Sequence, residues 1–229
     1  MSDGTPQSTH PIHDEANGIP IIGLCGGIGS GKSEVARVLE QLGCVVTYSD
    51  RDVQRALDTE EVRDTLRAWW GDRALDPQGH VNRPAVAEIV FADEAARRKL
   101  EQLLHPIADA MRKEQWQQAR RTCGDSGIPA FVIDAPLLFE AGLNHACDVV
   151  LFVDVSRTIR LERLKRDRGW APEQLELREK SQWPLDKKRN RSDHVIQNNA
   201  DVTALRHDVE ALFQQILHDY QHQSRPDSQ

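Results

Sequence analysis

Five short, nearly unbroken apolar runs, each closed by a turn signal, punctuate the chain: IPIIGLC (19–25), CVVTY (44–48), AFVID (130–134), DVVLFVDV (148–155) and HVIQN (194–198). Between them apolar residues recur at helical spacing. Strands without polar alternation belong in a sheet covered on both sides. Right-handed helical crossovers then gather every strand C-terminus at one edge. The pattern predicts an α/β fold, a five-stranded parallel sheet covered by helices on both faces, with its ligand at that edge.

Two connections exceed what one crossover helix needs. Residues 51–129 should form a helical insertion. Within it DEAARRKLEQLLHPIADAMRKEQWQQARR (93–121) opens with Asp93 as a cap and carries Leu100, Leu103, Leu104 and Ile107 on one face. Pro106 should bend or restart that helix. A second insertion is expected over 160–192. A last helix over 201–220 should pack on the sheet through Val202, Leu205, Val209, Leu212, Phe213, Ile216 and Leu217. The core is then 19–50, 130–159 and 193–221, with a polar leader (1–18) and tail (222–229) expected to be disordered.

Charge sharpens this picture. The chain carries a net charge of −7, which argues against bulk nucleic-acid binding. Yet residues 157–191 hold twelve Lys and Arg against six acids, so that segment stands at +6 and the remainder at −13. A basic island in an acidic chain suits a small polyanion, although charge runs are also ordinary solvated helix faces. No apolar run approaches membrane-span length and the start has no signal-peptide core, so a cytoplasmic location without membrane partner is expected. Cys25, Cys44, Cys123 and Cys147 lack zinc or redox spacing and read as buried or incidental thiols.

The chemistry is concentrated in GLCGGIGSGKSEVA (23–36). Gly26, Gly31, Lys32 and Ser33 satisfy the G-x-x-x-x-G-K-[ST] pattern in its required place, after a strand and opening a helix. Inward-pointing amides of Gly26, Gly27, Ile28, Gly29, Ser30 and Gly31, continuing to Glu34, would wrap the phosphates of a nucleoside triphosphate. Lys32 would reach the β- and γ-phosphates and Ser33 would ligate Mg²⁺.

Switches, motors and kinases share such a loop, and acidic strand ends discriminate among them. Asp50 closes the second strand and Asp134 the third. Strand-end aspartates also serve as turn formers and caps. Phosphoryl transfer to an alcohol needs one carboxylate to orient the hydroxyl and take its proton, and another to hold the metal and its waters. Asp50, at the mouth of the long insertion, suits the first role, and Asp134 the second, holding Mg²⁺ through water. The basic 160–192 segment would act as a lid that screens charge and excludes water.

With these residues assembled, the chain resembles the dephospho-coenzyme A kinase family from about Ile21 to Leu217. The resemblance rests on GLCGGIGSGKS, LGCVVTYSD, FADEAARRKLEQLLHP, IDAPLLFEAGL and SQWPLDKK followed by DHVIQNN. It implies a P-loop kinase fold and ATP- and Mg²⁺-dependent phosphorylation of the ribose 3′-hydroxyl of dephospho-coenzyme A. It also implies Asp50 as base and Arg163 as a lid arginine approaching the ATP phosphates. His105, Pro106, Leu137 and Glu140 would shape the acceptor side with Asp50 and Asp134, and Asn198 would border the adenine. The chain departs from the family pattern at Cys25, Glu34, Tyr48 and Ala200. A monomer or weak homo-oligomer is expected. Other readings are a kinase for a sugar acid or nucleoside monophosphate, a nucleotide-dependent switch, and, least favoured by the charge, a nucleic-acid binder.

Overall fold

The computed structural model describes residues 18–124 and 127–223. The expected leader therefore lies outside the described residues except for Gly18, as does the tail from 224 onward. The chain divides into two compact units. One takes the chain up to Thr47 and again from Trp116; the other is Tyr48–Gln115.

The first unit contains the parallel sheet that the apolar runs predict. Its strands are β1 (Ile21–Gly26), β2 (Val45–Tyr48), β3 (Phe131–Asp134), β4 (Val149–Asp154) and β5 (His194–Gln197), in the order β2-β3-β1-β4-β5. Strand β1 runs parallel to β3 and β4 on either side, and β4 parallel to β5. Every residue of β1 is buried, which is why its sequence shows no polar alternation. Leu24 pairs in register with Asp134, and Gly26 with Val153, so the end of β1 and the last residue of β3 reach the same sheet edge.

Helices flank this sheet. Helix α1 (Lys32–Gln41) follows β1 and buries Val35, Ala36, Val38 and Leu39. The chain's last helix, Val202–Gln223, packs against β5 and α1. Asp201 caps it, its Oδ1 accepting from the amides of Thr203 and Ala204 at 2.8 and 2.9 Å. Leu205, Val209, Phe213 and Ile216 are buried as their spacing predicts. Val202 is not: it stands in the first turn, 57% exposed. On the sheet, Trp116 stacks on Phe131 with ring centroids 4.4 Å apart.

The second unit is helical: α2 (Ser49–Leu57), α3 (Glu60–Trp70), α4 (Arg83–Ala92) and the first part of α5 (Glu94–Cys123). Its core joins Ala56, Val62, Leu66, Val86 and Leu104. Leu100, Leu103 and Ile107 pack against that core, as the periodicity of the segment requires. Asp93 caps α5 by accepting from the Ala95 amide at 2.8 Å. The expected restart at Pro106 does not occur, because α5 is one 30-residue helix that runs through it. Pro106 lacks the amide that would bond the Gln102 carbonyl, but both residues are exposed and water can satisfy that carbonyl. The unit boundary consequently falls inside a helix: α5 belongs to the helical unit up to Gln115 and to the sheet unit from Trp116.

Three helices occupy the basic segment of the first unit: α6 (Arg157–Arg168), α7 (Pro172–Glu179) and α8 (Leu185–Asn190). The Val202–Gln223 helix is α9.

Candidate active site

The phosphate loop links β1 to α1, and two of its glycines are demanded by backbone geometry. Gly29 and Gly31 sit at φ of 79° and 82°, where side chains are rarely tolerated. A Cβ at Gly31 would also collide with the Asn198 amide. The loop is tightened by the Ser30 amide bonding the Gly27 carbonyl at 3.0 Å, and by that of Glu34 bonding the Gly31 carbonyl at 2.9 Å. Gly31 is the N-cap of α1 and makes no side-chain bond to the helix's first amides, leaving the positive helix end for an anion.

Lys32, the first residue of α1, forms an ion pair with Asp134 at the end of β3. Both side chains are nearly buried. Ser33 follows, exposed at the helix start. Serine hydroxyl and carboxylate are oxygen donors of the kind Mg²⁺ prefers, and Mg²⁺ normally takes one or two protein ligands with substrate phosphates and water. Among the described residues no cluster of three or more His, Cys, Asp or Glu could hold a metal.

The outer wall of the loop is gripped by α6 and by the turn after β5. Arg163 donates to the Ser30 carbonyl at 3.3 Å and to the Asn198 carbonyl at 3.0 Å. Asn198 is buried, and its Nδ2 donates to the Ser30 carbonyl at 2.7 Å. Arg160, buried one turn before Arg163, donates to the Ile28 carbonyl at 3.2 Å and pairs with Glu179 of α7 at 2.5 Å. Arg163 and Asn198 therefore brace the loop that the sequence led us to place around the nucleotide.

On the other side, the turn after β3 carries Leu137, which is exposed, and Glu140. One oxygen of Glu140 accepts from the Trp183 amide at 2.6 Å and pairs at 2.8 Å with Lys188, which is wholly buried. Phe139 stacks on Trp183 with centroids 5.9 Å apart.

The sheet unit thus brings together the loop, Lys32, Ser33, Asp134, Arg163, Asn198, Leu137 and Glu140. Asp50, His105 and Pro106 belong to the helical unit: Asp50 is exposed in the first turn of α2, and His105 and Pro106 are exposed on α5. Sequence reasoning missed Arg160 and Lys188. The signal for Arg160 was its i,i+3 spacing from Arg163 on one helix face. Lys188 stood inside SQWPLDKK, indistinguishable there from its exposed neighbours.

All four cysteines lie in the same unit. Burial pushes Cys25, on β1, up to about 11 and Cys44 up to about 12. Cys147 is half-buried and Cys123 exposed.

A family model described as Dephospho-CoA kinase matches residues 20–204. A Geobacter sulfurreducens dephospho-CoA kinase is 36% identical over 194 residues, covering 84% of this chain and 96% of that protein. One from Synechococcus sp. is 38% identical over 179 residues, covering 77% and 84%. Among solved structures, TT1252 from Thermus thermophilus superposes with a TM-score of 0.74 at 29% identity, over 88% of this chain and 97% of that one. A dephospho-CoA kinase from Campylobacter jejuni shares the fold at a TM-score of 0.63 and 23% identity, over 87% and 98%.

Proposed function

The chain belongs to the dephospho-CoA kinase family, and from that premise we propose that it transfers the γ-phosphoryl group of ATP directly to the ribose 3′-hydroxyl of dephospho-coenzyme A. The observation that carries this reading is the extent of the match, from residue 20 to residue 204, which takes in the phosphate loop, the helical insertion and the Asn198 turn alike.

In this reading the loop amides and Lys32 hold the β- and γ-phosphates and spread the charge that develops on the transferred group. Ser33 would ligate Mg²⁺ directly and Asp134 through water; the ion, when bound, supplies neutralisation of the phosphate oxygens. Asp50 accepts the proton of the attacking hydroxyl. Arg163 and Asn198 keep the loop in shape, and the 160–192 segment excludes water from the reacting phosphate. His105, Pro106, Leu137 and Glu140 line the acceptor side. The enzyme acts in the cytoplasm as a monomer or weak homo-oligomer; among the described residues no helix is long and apolar enough to cross a membrane.

Purified full-length protein with ATP, Mg²⁺ and a panel of dephospho-coenzyme A, gluconate and nucleoside monophosphates tests the acceptor. ADP release and chromatography of products should show turnover with dephospho-coenzyme A alone. Turnover with gluconate or a nucleotide and none with dephospho-coenzyme A would overturn it.

A further inference from the structure

Lys188 is a lysine with no solvent exposure. Its ammonium has three protons, and three acceptors surround it: Glu140 Oε1 at 2.8 Å, the Pro136 carbonyl at 2.8 Å and Gln182 Oε1 at 3.4 Å. Two of these belong to the turn that follows Asp134, and the third to the approach to α8. The lysine's own carbonyl accepts from Ser192 Oγ at 2.9 Å, and that hydroxyl lies 3.7 Å from the Cys25 thiol on β1.

A buried ion pair is a poor means of stabilising a core, because apolar residues of equal volume often do as well or better. It is a good means of fixing direction. Glu140 Oε1 is held by two donors, Lys188 and the Trp183 amide, while Oε2 is buried and has no hydrogen-bond partner among the described residues. A buried carboxylate oxygen left in that condition is costly unless something else donates to it.

We infer that Lys188 is a positioning residue for the phosphoryl acceptor: it fixes the turn between Asp134 and Glu140, and with it the orientation of the Glu140 carboxylate, through the Pro136 carbonyl and Glu140 Oε1. This rests on the proposed reading that Glu140 lies on the acceptor side. The acceptors of the Lys188 ammonium are Glu140, Pro136 and Gln182, none of them in the phosphate loop, so its loss should divide the two substrates.

The test is steady-state kinetics of Lys188→Met in the full chain, with each substrate varied in turn well below the melting temperature. The KM for dephospho-coenzyme A should rise about tenfold, and that for ATP should stay within about twofold. Because the single variant strands the Glu140 charge, the double variant Glu140→Gln/Lys188→Met, which removes both charges, is measured beside it. It should melt near the wild type and show the same division. In whichever variant folds, unchanged constants for both substrates, or constants that rise together, would overturn the inference, whatever happens to the melting temperature. Wild-type protein run in parallel separates this from the acceptor assignment. If it turns over another acceptor instead, the assignment fails and Lys188 is judged by the KM for that acceptor.

Discussion

The ammonium of Lys32, at the start of α1, is paired with the carboxylate of Asp134, at the end of β3. Residues 102 positions apart meet because parallel strands deliver their C-terminal ends to one edge, and β3 lies directly beside β1. The pair orients the loop lysine before any phosphate contacts it. Lys32→Met should lower kcat by about 10²- to 10³-fold, as for loss of a group that stabilises transition-state charge. It should also lower the melting temperature, since the nearly buried Asp134 carboxylate loses the ammonium beside it. Adding Asp134→Asn should restore the melting temperature but not turnover, as read by calorimetry and an ADP-release assay.

Arg163 offers a different signature. Its guanidinium reaches carbonyls of Ser30 and Asn198 with a fork that the single ammonium of lysine does not reproduce. Arg163→Lys should therefore raise the KM for ATP by about tenfold through a looser loop. Arg163→Ala should in addition depress turnover. An Arg163→Ala enzyme with wild-type constants would make this arginine an ordinary surface residue.

The glycine loop and the strand-end Asp134 were legible in sequence because each obeys a local rule: glycines where the backbone turns left-handed, an acid where an apolar run stops; Asp50, expected to close the second strand, lies instead in the first turn of α2, past the end of β2 at Tyr48. The braces around them were not. Arg160 is buried because Ile28, 132 residues away, and Glu179 supply its acceptors. Lys188 is buried because Pro136 and Glu140 do the same. In each case the local sequence is that of a solvated basic helix, and only tertiary contacts distinguish these two cations from their neighbours. At Pro106 the local rule predicted a bend or a restart; the restart does not occur, because an exposed face allowed the helix to continue.

Asp50 stands exposed in the first turn of α2. As the proposed base it should be needed for chemistry and not for holding ATP. Asp50→Asn should lower kcat by roughly 10²- to 10⁴-fold with the KM for ATP little changed. Wild-type turnover in that variant would remove Asp50 from the mechanism.

The cysteines predict a graded reactivity. Thiolate is the reactive form, and burial holds Cys25 near 11 and Cys44 near 12 while also denying access. At pH 8, iodoacetamide should label Cys123 first, with Cys25 and Cys44 labelled only on unfolding. Peptide mass mapping over time reads the order, and early labelling of Cys25 would contradict its burial within β1.

Asp52 gives a test of pH dependence. It is buried on α2, two residues from Asp50, and burial raises its pKa above the ordinary 3.8. The Gln115 amide, at 2.8 Å, and the positive Arg112 and Arg55 offset only part of that rise. The folded chain thus holds this proton more tightly than the unfolded chain. The stability it contributes is complete below about pH 3.8 and is lost as pH rises through the folded value. Asp52→Asn is neutral throughout and retains an acceptor for Gln115, so it escapes that loss. Its stability relative to wild type should be more favourable at pH 7 than at pH 4, as measured by urea unfolding at both. If the variant instead loses ground at pH 7, attraction to Arg112 and Arg55 outweighs desolvation, and Asp52 is held in the helical unit as a true ion-pair partner.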